Sequence, residues 1–310
     1  MKNTVKRKVF KTICLVVFLF LASDALLWAG EAKILLINSN ASVRKYRTVQ
    51  DEFKKIIPAR VREFDLKGRE WKNIDAGDLL SHDPDLVYCI GAKAYYFAEN
   101  HFSEKKIVFT SIINWLRLRI TENTYGVSNE LHTRMPIMMF RYIFPDVKKI
   151  GVLYSEKYTK QWFEKSRDQA PELGIEIIGK VVSNSRRTIS TLGSLIPVTD
   201  AIWLISDPLV MPEKKYLLNI LKDCDTAKIP VFSYNDAFAR IGCVLVVSED
   251  IPTIGRQAAG IAMEALSRGK MNKKVQFPAG SRITLNMRKI EEYKLKYNKD
   301  ALGSVNDIIK

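Results

Sequence analysis

The stretch Asp85–Tyr96, DLVYCIGAKAYY, predicts a buried strand that turns at a glycine into a helix. Its first six residues form a continuous apolar run, which is typical of a strand covered on both faces of a parallel sheet. Gly91 allows a tight turn and a close backbone approach. Ala92 and Lys93 open the following helix, whose first N–H groups can hold an anion such as a carboxylate. We therefore expect a strand, a turn and a helix with a binding site at the turn.

Similar strands recur along the chain, with helical patterns between them. Apolar periodicity predicts a helix over 43–56, with Val43, Tyr46, Val49, Phe53 and Ile56 on one face, and another over 251–267 that stops at Gly269. The predicted strands are 33–38, 59–66, 85–90, 106–111, 149–155, 175–182, 200–206, 229–234 and 243–248, followed by short ones at 276–279 and 282–286. This alternation predicts the α/β class with parallel sheets.

The chain is long enough for two such sheets. It has 310 residues, of which 47% are hydrophobic, enough for one large or two medium cores. Polar stretches at 120–135 and 269–274 interrupt the series of strands. We expect two Rossmann-like lobes, with the chain crossing between them more than once.

Residues 1–30 have the layout of a secretory signal peptide. Several lysines and Arg7 precede an apolar run from Ile13 to Ala22, and small residues follow. An uncleaved membrane anchor is the alternative, although this run is about half of the ~20 residues that span a bilayer. Cys14 lacks the small preceding residues of a lipoprotein signal. The expected location is therefore periplasmic or secreted.

The remainder of the chain is basic. Without residues 1–30 it has 44 Lys and Arg against 33 Asp and Glu, a formal charge of +11. This excess suits an acidic partner, an anionic membrane surface, an anionic ligand or simply a solvated surface. Basic residues interleaved with stacking aromatics are not apparent, so no nucleic-acid partner is expected.

The three remaining cysteines do not form a disulfide framework, because their number is odd and their spacing is wide. Cys89 and Cys243 lie in apolar strand patterns and are expected in the core. A single bridge between Cys224 and Cys243 stays open.

Common catalytic motifs are absent. The sequence has no GxGxxG after its first strand and no GxxxxGK[ST], GxSxG, HExxH or CxxC motif. The three histidines, His82, His101 and His132, are scattered through predicted loops and helix ends. We expect no catalytic residue, no metal and no cofactor.

Candidate ligand contacts follow the carboxyl ends of the predicted strands, where open parallel sheets bind ligands. They are Ala92, Lys93, Ser111, Ser128, Tyr158, Asp207, Asn235 and Asp236. Asp207 could pair with a ligand ammonium, and the alternative is a helix N-cap or an Asp-Pro turn. Lys93 could add a positive charge, while Tyr95 or Tyr96 could face the site or pack in the lobe.

Seven segments together resemble the solute-binding proteins of ABC transporters, in the group typified by tryptophan- and tyrosine-binding lipoproteins. They are IGAKAYYFAE, KIVFTSI, NTYGVSNEL, FPDVKKIGVLYS, DAIWLISDPLV, IPVFSYNDAFARIGCVLVVSED and IGRQAAGIAMEAL. The resemblance implies the type 1 periplasmic binding fold, with two α/β lobes, a hinge of three crossovers and a ligand clamped in the cleft. The lobes it implies are 31–126 plus 250–281 and 127–249 plus 282–310.

The resemblance also assigns roles to several residues. It implies that Ala92, Lys93 and Ser111 bind a ligand carboxylate, with Ser128 near the hinge, and that Asp207 binds the amine. The family usually has a small hydroxyl residue in place of Lys93 and often an Asp-Pro pair in place of Asn114–Trp115. A glycine- or alanine-rich turn is common in place of Val247–Glu249. The ligand therefore stays open between an aromatic or branched amino acid and a more anionic solute.

The expected function is that of an extracytoplasmic receptor that acts as a monomer. It would bind a small organic solute by lobe closure and deliver it to a membrane permease driven by an ATPase. The alternative is a ligand-sensing module for a histidine kinase or a chemoreceptor. A glycosyl or phosphoryl transferase is a weaker third reading, since a phosphate loop and a paired-carboxylate site are missing.

Overall fold

A computed structural model describes residues 32–268 and 271–310. The predicted signal segment and Gly269 lie outside these residues. Within the described ranges, no helix is both long and apolar enough to cross a membrane.

The chain forms thirteen strands and ten α-helices in these ranges. The strands are β1 (Lys33–Asn38), β2 (Arg60–Asp65), β3 (Leu86–Ile90), β4 (Lys106–Thr110), β5 (Thr124–Val127), β6 (Lys149–Tyr154), β7 (Glu176–Val181), β8 (Ala201–Trp203), β9 (Val231–Ser233), β10 (Leu245–Glu249), β11 (Val275–Gln276), β12 (Ser281–Asn286) and β13 (Asp307–Ile309). The helices are α1 (Arg44–Ile56), α2 (Gly77–Leu80), α3 (Ala92–His101), α4 (Arg134–Ile143), α5 (Lys160–Gln169), α6 (Thr188–Leu195), α7 (Lys214–Thr226), α8 (Asp236–Ala239), α9 (Ile251–Arg268) and α10 (Met287–Glu292).

These elements belong to two compact units. Unit 1 contains the described residues up to Ser128 together with Ile251–Gln276. Unit 2 contains Asn129–Asp250 and Phe277–Lys310. The chain thus changes unit after Ser128, Asp250 and Gln276, where the resemblance implied changes after 126, 249 and 281. Residues 277–281 fall in unit 2 because they lead into and begin β12, which pairs with β10.

Unit 1 is a parallel sheet in the order β11-β5-β4-β3-β1-β2. Successive strand residues point to opposite faces, so Ile34 and Leu36 join one core while Leu35 and Ile37 join the other. Helices α1 and α9 contribute to the first core, and α2 and α3 to the second. This two-sided burial confirms the reading of the apolar runs as strands of a parallel sheet.

Unit 2 has the sheet order β13-β12-β10-β9-β8-β6-β7. All neighbouring strands are parallel except β10 and β12, which are antiparallel. One core contains α4 and α5 side chains such as Phe140 and Phe163, and the other contains α6 and α7 side chains such as Leu192 and Leu217. The predicted α/β class holds for both units.

Some local expectations need correction. In α1 the predicted buried face holds only at the centre, where Val49 and Phe53 are buried and Tyr46 is half-buried. Val43 and Ile56 are 41% and 42% exposed, because they stand at the two ends of the helix.

The described cysteines, Cys89, Cys224 and Cys243, are all buried and free. The bridge that the sequence left open is therefore not formed. Burial raises the pKa of each thiol, that of Cys224 to about 12.

Candidate ligand-binding site

The turn that ends β3 is built around Gly91. Its φ of +86° belongs to the left-handed region, which glycine adopts without strain. A Cβ at this position would lie 2.7 Å from Ser39 Oγ and 3.1 Å from Tyr46 Cζ. The Gly91 N–H donates to the Thr110 carbonyl at 2.9 Å, which joins the turn to the end of β4. The glycine is required here both for backbone conformation and for close approach.

Ser39, directly after β1, supports the start of α3. Its hydroxyl oxygen accepts a hydrogen bond from the Ala94 N–H at 3.0 Å. Ser39 is not among the candidates predicted from the sequence, although it too follows a buried strand. The first N–H groups of a helix have no partner within the helix. Because the Ser39 hydroxyl accepts from Ala94, the N–H groups of Ala92 and Lys93 are the donors that remain in the first turn of α3.

Ser111 follows β4 and carries a buried hydroxyl that has no hydrogen-bond partner among the described residues. The residue is 5% exposed and has a φ of +59°, an uncommon conformation for a side chain other than glycine. A buried, unsatisfied hydroxyl costs about 1–3 kcal/mol and is rare in folded proteins. Both features are of the kind that accumulates at ligand sites.

Ser128 completes a row along one edge of unit 1. It follows β5, is fully buried, and its N–H donates to the Gln276 carbonyl at 2.9 Å. Because β5, β4, β3 and β1 are neighbours in the sheet, the residues that follow them are neighbours too. The row therefore consists of Ser128, Ser111, Gly91 with the α3 N-terminus, and Ser39. We call it the hydroxyl row.

Lys93 is engaged within unit 1. Its ammonium group donates to the Gly68 carbonyl at 2.6 Å and pairs with Glu70 at 2.7 Å. These partners lie in the loop after β2, so the lysine holds that loop against the start of α3. Of the two tyrosines, Tyr95 is buried in the core and Tyr96 is 38% exposed.

In unit 2, Asp207 is 2% exposed and its carboxylate accepts five hydrogen bonds. Oδ2 accepts from the Ser155 N–H at 2.8 Å, the Ser155 hydroxyl at 2.7 Å and the Thr159 hydroxyl at 2.5 Å. Oδ1 accepts from the N–H groups of Leu209 and Val210 at 2.8 and 3.2 Å. The bonds through Oδ1 are those of an Asx turn, which favours the turn alternative over an open amine site.

The other candidates of unit 2 remain nearer to solvent. Asp236 is exposed, and its Oδ1 accepts from the hydroxyls of Ser248 at 2.8 Å and Thr284 at 3.4 Å. Asn235, also exposed, caps α8 through the Ala237 N–H at 3.1 Å. Tyr158 is half-buried, and its N–H donates to the Ser155 hydroxyl at 3.3 Å.

The sequence thus indicated which strand ends carry polar side chains, but it did not reveal the hydrogen-bond partners of those side chains. Unit 1 brings together Ala92, Ser111 and Ser128, and unit 2 keeps Asp236 and Asn235 exposed. Among the described residues, no group of three or more His, Cys, Asp or Glu side chains could hold a metal ion.

Solved structures show the class of fold to which the chain belongs. A ligand-free, open substrate-binding protein with adhesive properties from Clostridium difficile superposes with a TM-score of 0.71 at 15% identity, covering 90% of this chain and 99% of that one. An ABC domain in complex with L-Trp from Streptococcus pneumoniae gives a TM-score of 0.63 at 18% identity, covering 90% and 100%. The fold is that of the two-lobed periplasmic binding proteins, as the sequence predicted.

The family follows from the sequence itself. Residues 73–308 match the model for ABC transporter substrate binding proteins, and the chain belongs to that family. A tyrosine-binding protein from Clostridioides difficile (strain R20291) is 22% identical over 200 residues, which are 62% of this chain and 57% of that protein. The match thus spans little more than half of that relative. The predicted resemblance is confirmed.

Proposed function

We propose that the chain is an extracytoplasmic receptor of an ABC importer that binds a small organic acid, with amino acids as the first candidates. The observation that carries this proposal is the buried, unpartnered hydroxyl of Ser111, next in the hydroxyl row to the N-terminus of α3. Hydroxyl groups and the N–H groups of a helix start suit a carboxylate, which accepts hydrogen bonds and carries negative charge.

The relatives support an amino acid as the first candidate. One is named for tyrosine and another was solved with L-Trp. In this chain Lys93 is paired with Glu70, so its charge is already balanced. That pairing favours a solute with one carboxylate over a more anionic one.

The proposal is tested by a thermal-shift screen of the purified protein against amino acids, nucleosides, sugars and small carboxylates. A ligand at 100 times its Kd stabilises the folded state by about 2.7 kcal/mol and raises Tm. We expect a response to at least one aromatic or branched amino acid. A response only to solutes without a carboxylate would contradict the proposal.

Ser111→Ala locates the site once a solute is known. Calorimetric titration should show about tenfold weaker binding, or about 1.4 kcal/mol, because one hydrogen bond to a charged group is lost. The free energy of unfolding of the ligand-free protein should not fall and should rise by up to about 1–3 kcal/mol, since the substitution removes a buried hydroxyl that has no partner within the described protein. Ser166→Ala removes a buried hydroxyl on α5 that donates to the Trp162 carbonyl, and it should leave the affinity unchanged. If Ser111→Ala and the unsubstituted protein bind the solute with equal affinity, the hydroxyl row is not the solute-binding site.

Within unit 2, Asp236 suits an ammonium group better than Asp207 does. Asp236 is exposed and its two hydrogen bonds both use Oδ1, whereas both oxygens of Asp207 are in use. Asp236→Asn should weaken binding of the amino acid and leave binding of the corresponding acid without an amine unchanged. An equal effect on both ligands would contradict the assignment.

Sensing is the alternative to import, and it would use the same solute site. The two are separated in cells by following uptake of the labelled solute with and without the gene. Loss of uptake supports import. Retained uptake with loss of a transcriptional or chemotactic response to the solute would support a sensor for a histidine kinase or a chemoreceptor.

A further inference from the structure

Two neighbouring loops of unit 1 form a strongly basic surface. The first follows β1 and continues into the start of α1, and the second follows β2. We define the basic surface by five exposed residues, Arg44, Arg47, Lys67, Arg69 and Lys72. Residues 39–47 contain no Asp or Glu at all. The surface lies at the same edge of the sheet as the hydroxyl row, on the side of the outermost strand β2.

The two acidic side chains of residues 65–72 have other partners. Asp65 Oδ1 accepts from the N–H groups of Ala41 at 3.0 Å and Lys67 at 2.9 Å. Glu70 pairs with Lys93. Asp65 therefore shapes the backbone and Glu70 balances a lysine outside the basic surface.

The basic side chains instead contact neutral groups. Arg47 Nε donates to the Ala41 carbonyl at 2.9 Å, and Arg69 Nε donates to the Leu66 carbonyl at 3.2 Å. The Lys72 ammonium lies 5.6 Å from the centroid of the Trp71 ring. The partners in these contacts have no negative charge, so they do not neutralise the positive charge of the basic surface. These hydrogen bonds use only Nε, so they do not occupy the Nη groups of Arg47 and Arg69, whose geometry matches a carboxylate.

The charges oppose the local helix. The first turn of α1 contains basic side chains, including Arg44 and Arg47, and no acidic one, and no side chain caps its N-terminus. Helix starts favour negative charge, because their free N–H groups form the positive end of the helix dipole. A basic first turn therefore weakens the helix unless an external anion approaches it. Such local conflicts are expected where a surface serves binding.

The two loops are held in one fixed arrangement. The Gly68 N–H donates to the Ser39 carbonyl and the Leu66 N–H to the Asn38 carbonyl, both at 2.8 Å. Lys93 adds its bond to the Gly68 carbonyl. The arginines thus project from a backbone ordered before any partner binds, which lowers the entropic cost of association.

Aromatic and apolar groups accompany the charges. The rings of Trp71 and Tyr96 lie 6.5 Å apart, Tyr96 is 38% exposed and Val43 is 41% exposed. Arginine and aromatic residues are the types enriched at protein–protein interfaces. Arginines with fixed Nε contacts in the same region as the exposed Tyr96 ring favour a folded, carboxylate-bearing partner over a fluid layer of lipid headgroups.

We propose that the basic surface docks onto an acidic surface of a second protein. The inference rests on the charges and contacts of unit 1 and is independent of the solute proposed above.

The test uses a fluorescent peptide of ten glutamates as a defined acidic probe. Its binding to the full chain is measured by fluorescence anisotropy at low and at physiological ionic strength. The test variant is Arg44→Glu/Arg47→Glu/Arg69→Glu, and the matched control is Lys294→Glu/Lys296→Glu/Lys299→Glu. The control residues are exposed on unit 2, and both triple variants change the net charge equally. Vesicles of 70% phosphatidylcholine and 30% phosphatidylglycerol serve as the lipid probe.

We expect the unsubstituted chain to bind the peptide, the test variant to bind at least tenfold more weakly and the control less than threefold more weakly. Equal losses of peptide affinity in both variants would show that net charge alone causes the binding, and this would overturn the proposal. So would absence of peptide binding, or binding of vesicles alone that the test variant abolishes.

Folding and solute binding are checked separately. Glutamates suit the first turn of α1, so the Tm of the test variant should not fall. If it does, Arg44→Gln/Arg47→Gln/Arg69→Gln replaces it, with the same expected loss of peptide binding. Solute affinity should be unchanged in the test variant, so failure of the docking proposal and failure of the solute proposal give different results.

Discussion

Asp207 is a buried carboxylate whose five donors all belong to the protein. Asp207→Ala would leave those donors unsatisfied, so we expect the free energy of unfolding to fall by about 3 kcal/mol. Urea denaturation measures this, with Asp168→Ala as a control. Asp168 pairs with Arg167 on the surface, and its loss should cost less than about 0.5 kcal/mol. An unchanged unfolding curve for Asp207→Ala, with lost solute binding, would restore the ligand role.

The sequence could place such residues but not assign their partners. Asp207 was identified because it was predicted to follow a buried strand directly, whereas β8 ends at Trp203, three residues earlier than predicted. Its partners Ser155 and Thr159 lie 52 and 48 residues earlier in the chain. Lys93 likewise meets Gly68, 25 residues earlier. Pairings at such separations depend on the packed sheet, so a single sequence does not reveal whether a polar group is open to a ligand.

The contact between α1 and α9 leaves no room for a side chain at Gly255. A Cβ there would lie 2.5 Å from the Val49 carbonyl oxygen and 2.8 Å from Glu52 Cβ. Gly255→Ala should therefore destabilise unit 1 by about 1–3 kcal/mol, although alanine is the better helix former. Gly260→Ala, on the same helix with nothing within 4 Å of the added Cβ, should be neutral or stabilising by up to about 1 kcal/mol. Both variants are compared by urea denaturation; equal stabilities would contradict the close packing.

At the level of elements, each of the nine long strands that the sequence predicted has a counterpart, because most of them are continuous apolar runs, which are a strong signal. β8 and β9 are shorter than predicted, with three residues each. Two short strands were not predicted. β5, TYGV, lies in the polar stretch read as a break and contains Gly126, a residue that is depleted in strands. A Cβ at Gly126 would lie 2.6 Å from the Phe109 ring, so tertiary packing selects the glycine. β13 has only three residues, and its pairing with β12 depends on the chain path.

Across the whole molecule, buried thiols and phenols predict a loss of stability at high pH. Burial raises the pKa of Cys89, Cys224, Cys243 and Tyr88 above their ordinary values. In the unfolded chain thiols ionise near pH ~8.5 and phenols near ~10, while the folded protein keeps them neutral. These groups therefore leave the free energy of unfolding unchanged below about pH 8 and lower it as pH rises further, by about 1.4 kcal/mol per pH unit for each ionised group.

Urea denaturation at pH 8, 9.5 and 10.5 measures this slope. Cys89→Ala/Cys243→Ala lowers the stability at every pH but should flatten the decline between pH 8 and 9.5, because two titrating groups are gone. A slope identical to that of the unsubstituted protein would exclude the thiols as its cause.

The discontinuous course of the chain has a consequence for the order of assembly. Side chains of α9 such as Ile254 and Ala258 complete one core of unit 1, yet α9 follows the whole of Asn129–Asp250. Unit 2 in turn needs β12 and β13, which come after α9. A nascent chain therefore cannot complete the core of unit 1 before most of unit 2 has been synthesised. The two cores are completed together, once β12 and β13 have been made, and a chain that stops before residue 250 leaves both cores open.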